Sequence, residues 1–351
     1  MNIKLFSLLV GLLFTGTGCA TLEAGRTSRL DIIQRRGELN CGISGKISGF
    51  SYLHKDGSYK GFDVDICKAM AAAFLGNSAL VNFRPLTAPE RFTALRTGEV
   101  DLLSRNTTIN LSRDSKGGNG VTFAPIVFHD GQGLMVRKSS GIRTIGQLRN
   151  SFICVGSGTT TEQNLNDTFQ EKGIKYKPIK YQDASQVTQG YLQKRCKAMT
   201  SDRSQLAAAK AGFPSKERGK HIILSDMISK EPLAPASLGG DEKLSDAIRW
   251  VIYALLAAEE YGINKNNIQD KLIQAESDKS LSSLRRLLGI DGKLGSKLGL
   301  SDNFVVKIIS STGNYGEIYD RNLGPMSNVS IPRSRNNLYT NGGLLFAPPL
   351  K

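Results

Sequence analysis

From residue 39 onward, short apolar runs alternate with longer stretches whose apolar residues recur every three or four positions. "LNCGI" (39–43) reads as a strand, and "DVDICKAMAAAFLG" (63–76) as a helix with Ile66, Met70 and Ala73 on one face. A strand at 79–83, a helix at 87–98 and a strand at 100–104 complete a βαβαβ opening. The middle helix starts on the capping pair Thr87 and Glu90 and stops at Gly98. After "GQGLMVRK" (131–138) a second series begins, with a short capped helix at 144–149 and a strand at 152–156. A helix at 159–173, a strand at 176–181 and a helix at 184–194 follow. A strand at 196–201, a helix at 203–212 and an apolar run at 221–225 close the series. Pro232 and Pro235 then interrupt the chain before a long helix at 241–261, and the Gly-, Ser-, Asn- and Pro-rich tail from Gly289 shows no assignable period. Two such series predict an α/β chain of two lobes with a cleft between them. Lobe 1 is expected over residues 27–131 and 232–351, the latter including a C-terminal extension, and lobe 2 over 132–231. The chain would then cross twice, near Asp130–Gly133 and Lys230–Leu233, where Gly131, Gly133 and the two prolines suit segments that bend in place.

Composition adds a compartment. Lys4 followed by the apolar run Leu5–Phe14 and the small residues Gly16, Gly18, Cys19 and Ala20 reads as a secretory signal over residues 1–20, too short to span a bilayer. Two processing routes fit: cleavage after Ala20, or lipidation of Cys19, which has Gly16 three positions before it where such sites usually carry Leu. Four cysteines remain beyond Cys19, an even count that favours disulfides in an exported chain. Cys41 lies on the first strand and Cys67 on the helix that packs over it, while Cys154 and Cys196 lie in or at the start of two lobe 2 strands. The expected bonds are therefore Cys41–Cys67 and Cys154–Cys196. No CxxC or HExxH spacing occurs, so neither a metal nor a cofactor is expected. The formal charge is +15, and losing residues 1–20 removes only Lys4. The basic residues are scattered, without aromatic interleaving, which disfavours nucleic acid as a partner and favours anionic membranes, acidic partners or anionic solutes.

Ligands of open parallel sheets bind beyond the carboxyl ends of the strands, and three polar clusters fall at such ends. "RNTTINLSRD" (105–114) carries Asn106, Thr107, Thr108 and Arg113. "GSGTTTE" (156–162) begins a helix on the capping pair Thr159 and Glu162, and lacks the Lys-Ser/Thr of a phosphate-binding loop. Asp202 ends the strand at 196–201. Singly, these read as a glycosylation sequon, a helix cap, an N-cap and a surface arginine. Together they supply a guanidinium, a helix N-terminus and a carboxylate, a set suited to a zwitterion.

With these motifs in place, the chain resembles the periplasmic amino-acid-binding proteins of ABC importers, most closely the general L-amino-acid-binding branch. The resemblance is carried by "GFDVDICKAMAAA", "PERFTALRTGEVDLLSRNTTINLSRD", "DGQGLMVRK", "CVGSGTTTE", "ISKEPLAP", "RWVIYALLAAEE", "GNYGEIYDRNLGP" and "GGLLFAPP". It implies a type 2 periplasmic-binding fold: two lobes, each a mixed sheet flanked by helices, joined by two crossing strands. It also implies a monomer in the periplasm that encloses free L-amino acids and serves permease subunits in the inner membrane. By the resemblance Arg113 holds the ligand carboxylate, with Thr108 and Thr160 beside it, and Asp202 holds the α-amine. Asn106, Thr107, Thr159, Arg105 and Phe50 complete the expected ligand set. Ser44 and Ile47 stand where binders of cationic amino acids carry an acidic and an aromatic gate, so neutral and acidic ligands are expected. Arg105 meets either a ligand side-chain carboxylate or a carboxylate of the protein. The rival reading is an enzyme on the same fold, such as a dehydratase acting on an amino-acid-like substrate, for which no paired carboxylates or nucleophile motif stand out.

Overall fold

The strand Leu39–Ile43 pairs in parallel with Val81–Pro85 on one side and Leu102–Leu103 on the other. Beyond Leu102–Leu103 come Ala236–Leu238, antiparallel to both its neighbours, and Val121–Phe123. This is the first five-stranded sheet of a computed structural model that describes residues 27–351. The expected leader over residues 1–20, with Cys19, lies outside the described residues. The second sheet repeats the plan in the order Lys177–Tyr181, Phe152–Gly156, Ala198–Asp202, Gln132–Arg137, His221–Ile223. Here the antiparallel strand is Gln132–Arg137. Each sheet is therefore completed by a strand that arrives from the other lobe. Gln132–Arg137 follows the crossing strand Phe128–Asp130, and Ala236–Leu238 follows the crossing strand Glu231–Leu233. These two crossing strands pair antiparallel, with Asp130 opposite Glu231 and His129 opposite Pro232.

The helix Phe62–Leu75 is buried on nearly every side because it packs against Leu39–Ile43, the helix Glu242–Glu260 and the helix Phe304–Thr312. Its small residues Ala69, Ala71, Ala72 and Ala73 let those neighbours approach closely, and Cys67 bonds to Cys41 on the strand beneath. Cys154 bonds to Cys196 in the second lobe. Both expected disulfides are present.

Several sequence expectations shift. The helix expected from Thr87 begins at Arg91, because Glu90 Oε2 accepts bonds from the Thr87 amide (2.8 Å) and hydroxyl (2.7 Å) and closes a separate turn ahead of it. The strand expected at 79–83 runs Val81–Pro85. The tail that showed no period contains the helices Phe304–Thr312 and Tyr315–Asn322, the second opening on a capping box of Asn314 and Glu317. Gly131 owes its place to packing as much as to any bending: a Cβ there would lie 2.4 Å from Met227 Sδ and 2.8 Å from the Ser229 carbonyl. Asn336, near the C-terminus, accepts from the His129 amide (2.6 Å) and donates to its carbonyl, clasping the free edge of the first crossing strand.

Candidate functional site

A cleft of about 520 Å³ lies between the two sheets, with walls from both lobes. Its first-lobe wall is the loop after Leu102–Leu103. Asn110 caps the short helix Leu111–Asp114 by accepting from the Arg113 amide (3.0 Å), and Arg113 Nη1 donates to the Thr108 carbonyl (2.8 Å). The guanidinium thus fixes the shape of the loop that carries it, with its remaining N–H groups at the cleft. Asn106 adopts a left-handed backbone (φ 49°), and both polar atoms of its side chain lack a partner within the protein. Asn106 and Thr108 line the cleft, whereas Thr107 between them does not. The left-handed Asn106 turns the chain here, and Thr107 points inward, fully buried, its hydroxyl donating to the Arg105 carbonyl (3.3 Å), so its expected place in the ligand set is corrected. Phe50 is corrected as well. It is a core residue packed edge-to-face on Phe62 and Phe128, with centroids 6.2 and 5.4 Å away, and has no part in the cleft wall.

The second-lobe wall is built where the strand Phe152–Gly156 meets the helix Thr160–Glu171. Thr159 caps that helix: its hydroxyl accepts from the Glu162 amide (3.1 Å) and donates to the Gly156 carbonyl (2.7 Å). The positive end of the helix therefore faces the cleft, with Thr159, Thr160 and Thr161 on the wall. Asp202 ends the strand Ala198–Asp202 and precedes the helix Arg203–Ala211, yet its side chain makes no cap bond. Its Oδ2 accepts from Gln205 Nε2 (2.8 Å) and the residue is buried on the cleft wall.

The charges are sorted by side. Arg91, Arg105 and Arg113 occupy the first-lobe wall, and Asp202 occupies the second. Burial lowers Arg105 and Arg113 to about 10 and also holds Arg91 well below its ordinary value. Burial, then the fields of Asp130 and Glu231, hold the Asp202 carboxyl well above the usual carboxylate range. Burial likewise pushes Asp130 up to about 6 and Asp63, behind Arg105, up to about 7. Each shift disfavours the charged form, and for Arg91, Arg105, Arg113 and Asp202, which border the cleft, an oppositely charged ligand would offset it. Arg105 Nε donates to the Leu86 carbonyl (2.9 Å) under the field of Asp63, while the residue still borders the cleft.

Two further residues were not singled out from the sequence. Arg91 borders the cleft at 3% exposure, and its Nε and Nη2 have no partner. The buried face of its helix comprises Arg91, Phe92, Ala94 and Leu95, so a charge at i of an i, i+3, i+4 apolar set was the signal that could have marked it. Glu231, on the second crossing strand, is 1% exposed and accepts four hydrogen bonds. In the sequence it stood inside "SKEPLAP" and read as hinge punctuation. Among the described residues no cluster of His, Cys, Asp or Glu is arranged to hold a metal ion, and no helix is long and apolar enough to cross a membrane.

Residues 39–325 match the family model for bacterial extracellular solute-binding proteins, family 3. The chain belongs to that family. As a family 3 solute-binding protein it is 41% identical to the glutamate/glutamine/aspartate/asparagine-binding protein BztA of Rhodobacter capsulatus, across 96% of this chain and 98% of that one. It is 38% identical to the general L-amino acid-binding periplasmic protein AapJ of Rhizobium johnstonii, across the whole of both chains. Among solved structures it resembles an ABC transporter periplasmic binding protein from Brucella ovis with glutathione bound. The TM-score is 0.87 and the identity 40%, covering 93% of this chain and all of that one. The mixed sheets and the paired crossing strands are those of the type 2 periplasmic-binding fold. Its relatives are binding components of transporters, which favours the binding reading over the enzymatic one.

Proposed function

We propose that this solute-binding protein captures free L-amino acids outside the cytoplasm, in the periplasm, and delivers them as a monomer to the permease subunits of an ABC-type importer. The observation that carries this is the sorting of charge across the cleft. Arg113 on one lobe faces the side where Asp202 stands on the other, so a zwitterion's carboxylate and ammonium each meet an opposite charge as the lobes close. In this reading residues 132–231 swing as one body about the two crossing strands, and the amide groups of the Thr160 helix start and the Asn106 side chain add donors to the carboxylate. Ser44 and Ile47 on the cleft wall offer no anionic partner to a cationic side chain, while Arg91 and Arg105 can receive a side-chain carboxylate. Neutral and acidic amino acids are the favoured class, and relatives named for glutamate, glutamine, aspartate and asparagine support it.

A second ligand class has its own support. The Brucella ovis neighbour holds glutathione, whose γ-glutamyl end is itself an α-amino acid. The test is calorimetry on the purified protein with glutamate, glutamine, leucine, lysine and glutathione, repeated with Arg105→Ala. Saturable binding of glutamate and glutamine without turnover is expected. Lysine binding tightest would overturn the reading, and glutamate affinity unaffected by Arg105→Ala would remove Arg105 from the ligand set. Glutathione outcompeting every free amino acid would establish the second class instead.

A further inference from the structure

Glu231 projects from the second crossing strand into the junction of the two lobes. Its Oε2 accepts from the hydroxyl of Thr108 (2.5 Å), in the first-lobe loop, and from that of Thr160 (2.9 Å), at the second-lobe helix start. Its Oε1 accepts from Asn164 Nδ2 (2.7 Å), one turn further along that helix, and from the Ser229 hydroxyl (2.6 Å). An ionised carboxylate offers about four lone-pair sites and no proton, and here all four are taken by neutral donors. The two threonine hydroxyls lie 3.4 Å apart on the same carboxylate oxygen, so one charge directs both.

A hydroxyl has one proton to give. Those of Thr108 and Thr160 go to Glu231, so what their oxygens turn toward the cleft is lone pairs. They can accept from an ammonium group and cannot donate to a carboxylate. The carboxylate is left to Arg113 and to amide N–H groups. We propose that Glu231 is the positioning residue that sets the donor–acceptor sense of this site. By claiming the protons of Thr108 and Thr160 it turns them, with Asp202, into an ammonium subsite, and so makes the protein select α-amino acids over the corresponding acids that lack the amine. The proposal rests on the amino-acid reading above and specifies which part of the ligand the hydroxyls recognise. It also explains why a buried carboxylate sits at the hinge with no cation among its four donors: the cation it serves arrives with the ligand.

The experiment compares glutamate with glutarate, the same dicarboxylic acid without the α-amine, by calorimetry and displacement on the full-length mature protein. The parent should bind glutamate about 10³-fold or more above glutarate, because a site built to pair a polar group rejects an analogue lacking it. In Glu231→Gln the shape is kept and the charge behind the hydroxyls is lost. Glutamate should weaken by about 30-fold, the lower end for unmatching an enclosed charge, and glutarate by less than about threefold. Thr160→Val keeps volume, removes one acceptor and should show the same selective loss, which keeps the test decisive if the Gln variant folds poorly. A purely structural role would weaken both ligands by the same factor, and that result, or glutamate affinity within threefold of the parent in both variants, would overturn the proposal. Absence of glutamate binding in the parent would overturn the amino-acid reading itself.

Discussion

Replacing Arg91 by methionine should move stability and affinity in opposite directions. On the cleft wall the Arg91 guanidinium is buried and its Nε and Nη2 have no partner in the protein, so the folded state carries the cost of donors removed from water and not satisfied. That cost is about 1–3 kcal/mol. Methionine has similar length, keeps the packing beside the Phe92 ring over which the guanidinium now lies (4.8 Å to the centroid), and brings no donor. The ligand-free Arg91→Met protein should therefore melt about 2–6 °C higher, taking about 2 °C per kcal/mol for a chain of this size. Glutamate should lose about 2–5 kcal/mol of binding, roughly 30- to 5,000-fold, if its side-chain carboxylate is what Arg91 awaits. Leucine should change by less than about threefold on the same reasoning, having no charge to lose a partner. Scanning calorimetry without ligand and titration calorimetry with the two amino acids measure all three quantities. A lowered melting temperature, or leucine weakened as much as glutamate, would refute the argument that this guanidinium is held unpartnered for an acidic side chain.

Arg113→Ala and Asp202→Ala should each reduce amino-acid binding by about 2–5 kcal/mol while leaving the fold intact, and titration calorimetry within a few-fold of the parent for either variant would remove that residue from the zwitterion site. Binding should release protons. Asp202 is held well above the usual carboxylate range and must be ionised to meet an ammonium, so affinity rises as pH climbs through that raised value and the titration heat depends on the buffer's ionisation enthalpy. No buffer dependence, or affinity falling as pH is raised, would contradict this. For the ligand-free protein the sign is reversed. Carboxyls raised in the folded state, Asp130 to about 6 and Asp63 to about 7, contribute stability below their ordinary pKa that is lost as pH climbs through those values. Urea titrations should accordingly find these groups stabilising the empty protein more at pH 5 than at pH 7.5. Breaking the disulfides by Cys→Ser should cost about 3.5 kcal/mol for Cys41–Cys67 and about 4 kcal/mol for Cys154–Cys196, from sequence separations of 26 and 42 residues. Each bridge lies within one lobe, so ligand affinity measured at low temperature should be retained.

What the sequence made legible was whatever depends on local order. The Thr159 cap could be read from Thr159 and Glu162 alone, and Asp202 from its place at a strand end. Both disulfides followed from pairing a strand with its covering helix and one strand with another. What depends on direction was harder. "RNTT" announces polar groups at a strand end, but only the turn at the left-handed Asn106 decides that Asn106 and Thr108 border the cleft while Thr107 faces the core. Phe50 was expected in the ligand set, and it packs instead in an aromatic cluster on Phe62 and Phe128, which lie 12 and 78 positions away in the chain. Arg91 was hidden inside a well-formed amphipathic helix, although its register on the apolar face was there to be seen. Glu231 carried no local sign, because its meaning comes from donors at positions 108, 160, 164 and 229 that converge only when both lobes are folded.

The place of Ala236–Leu238 between Leu102–Leu103 and Val121–Phe123 has a consequence for how the molecule comes into being. An interior strand of the first sheet is made more than a hundred residues after the strands on either side of it. A chain delivered from its N-terminus therefore presents an open seam between Leu103 and Val121 until residues 236–238 arrive. Residues 132–223, by contrast, hold every strand of the second sheet in one continuous stretch. The second lobe can close on itself while the first is still waiting. The crossing strands, paired only when Glu231–Leu233 meets Phe128–Asp130, then form at the same stage as the filling of that seam. Hinge and first sheet are completed together, so a chain cut short before residue 231 would carry an intact second lobe attached to a half-built first one, with its two strand edges bare to any chain that can pair with them.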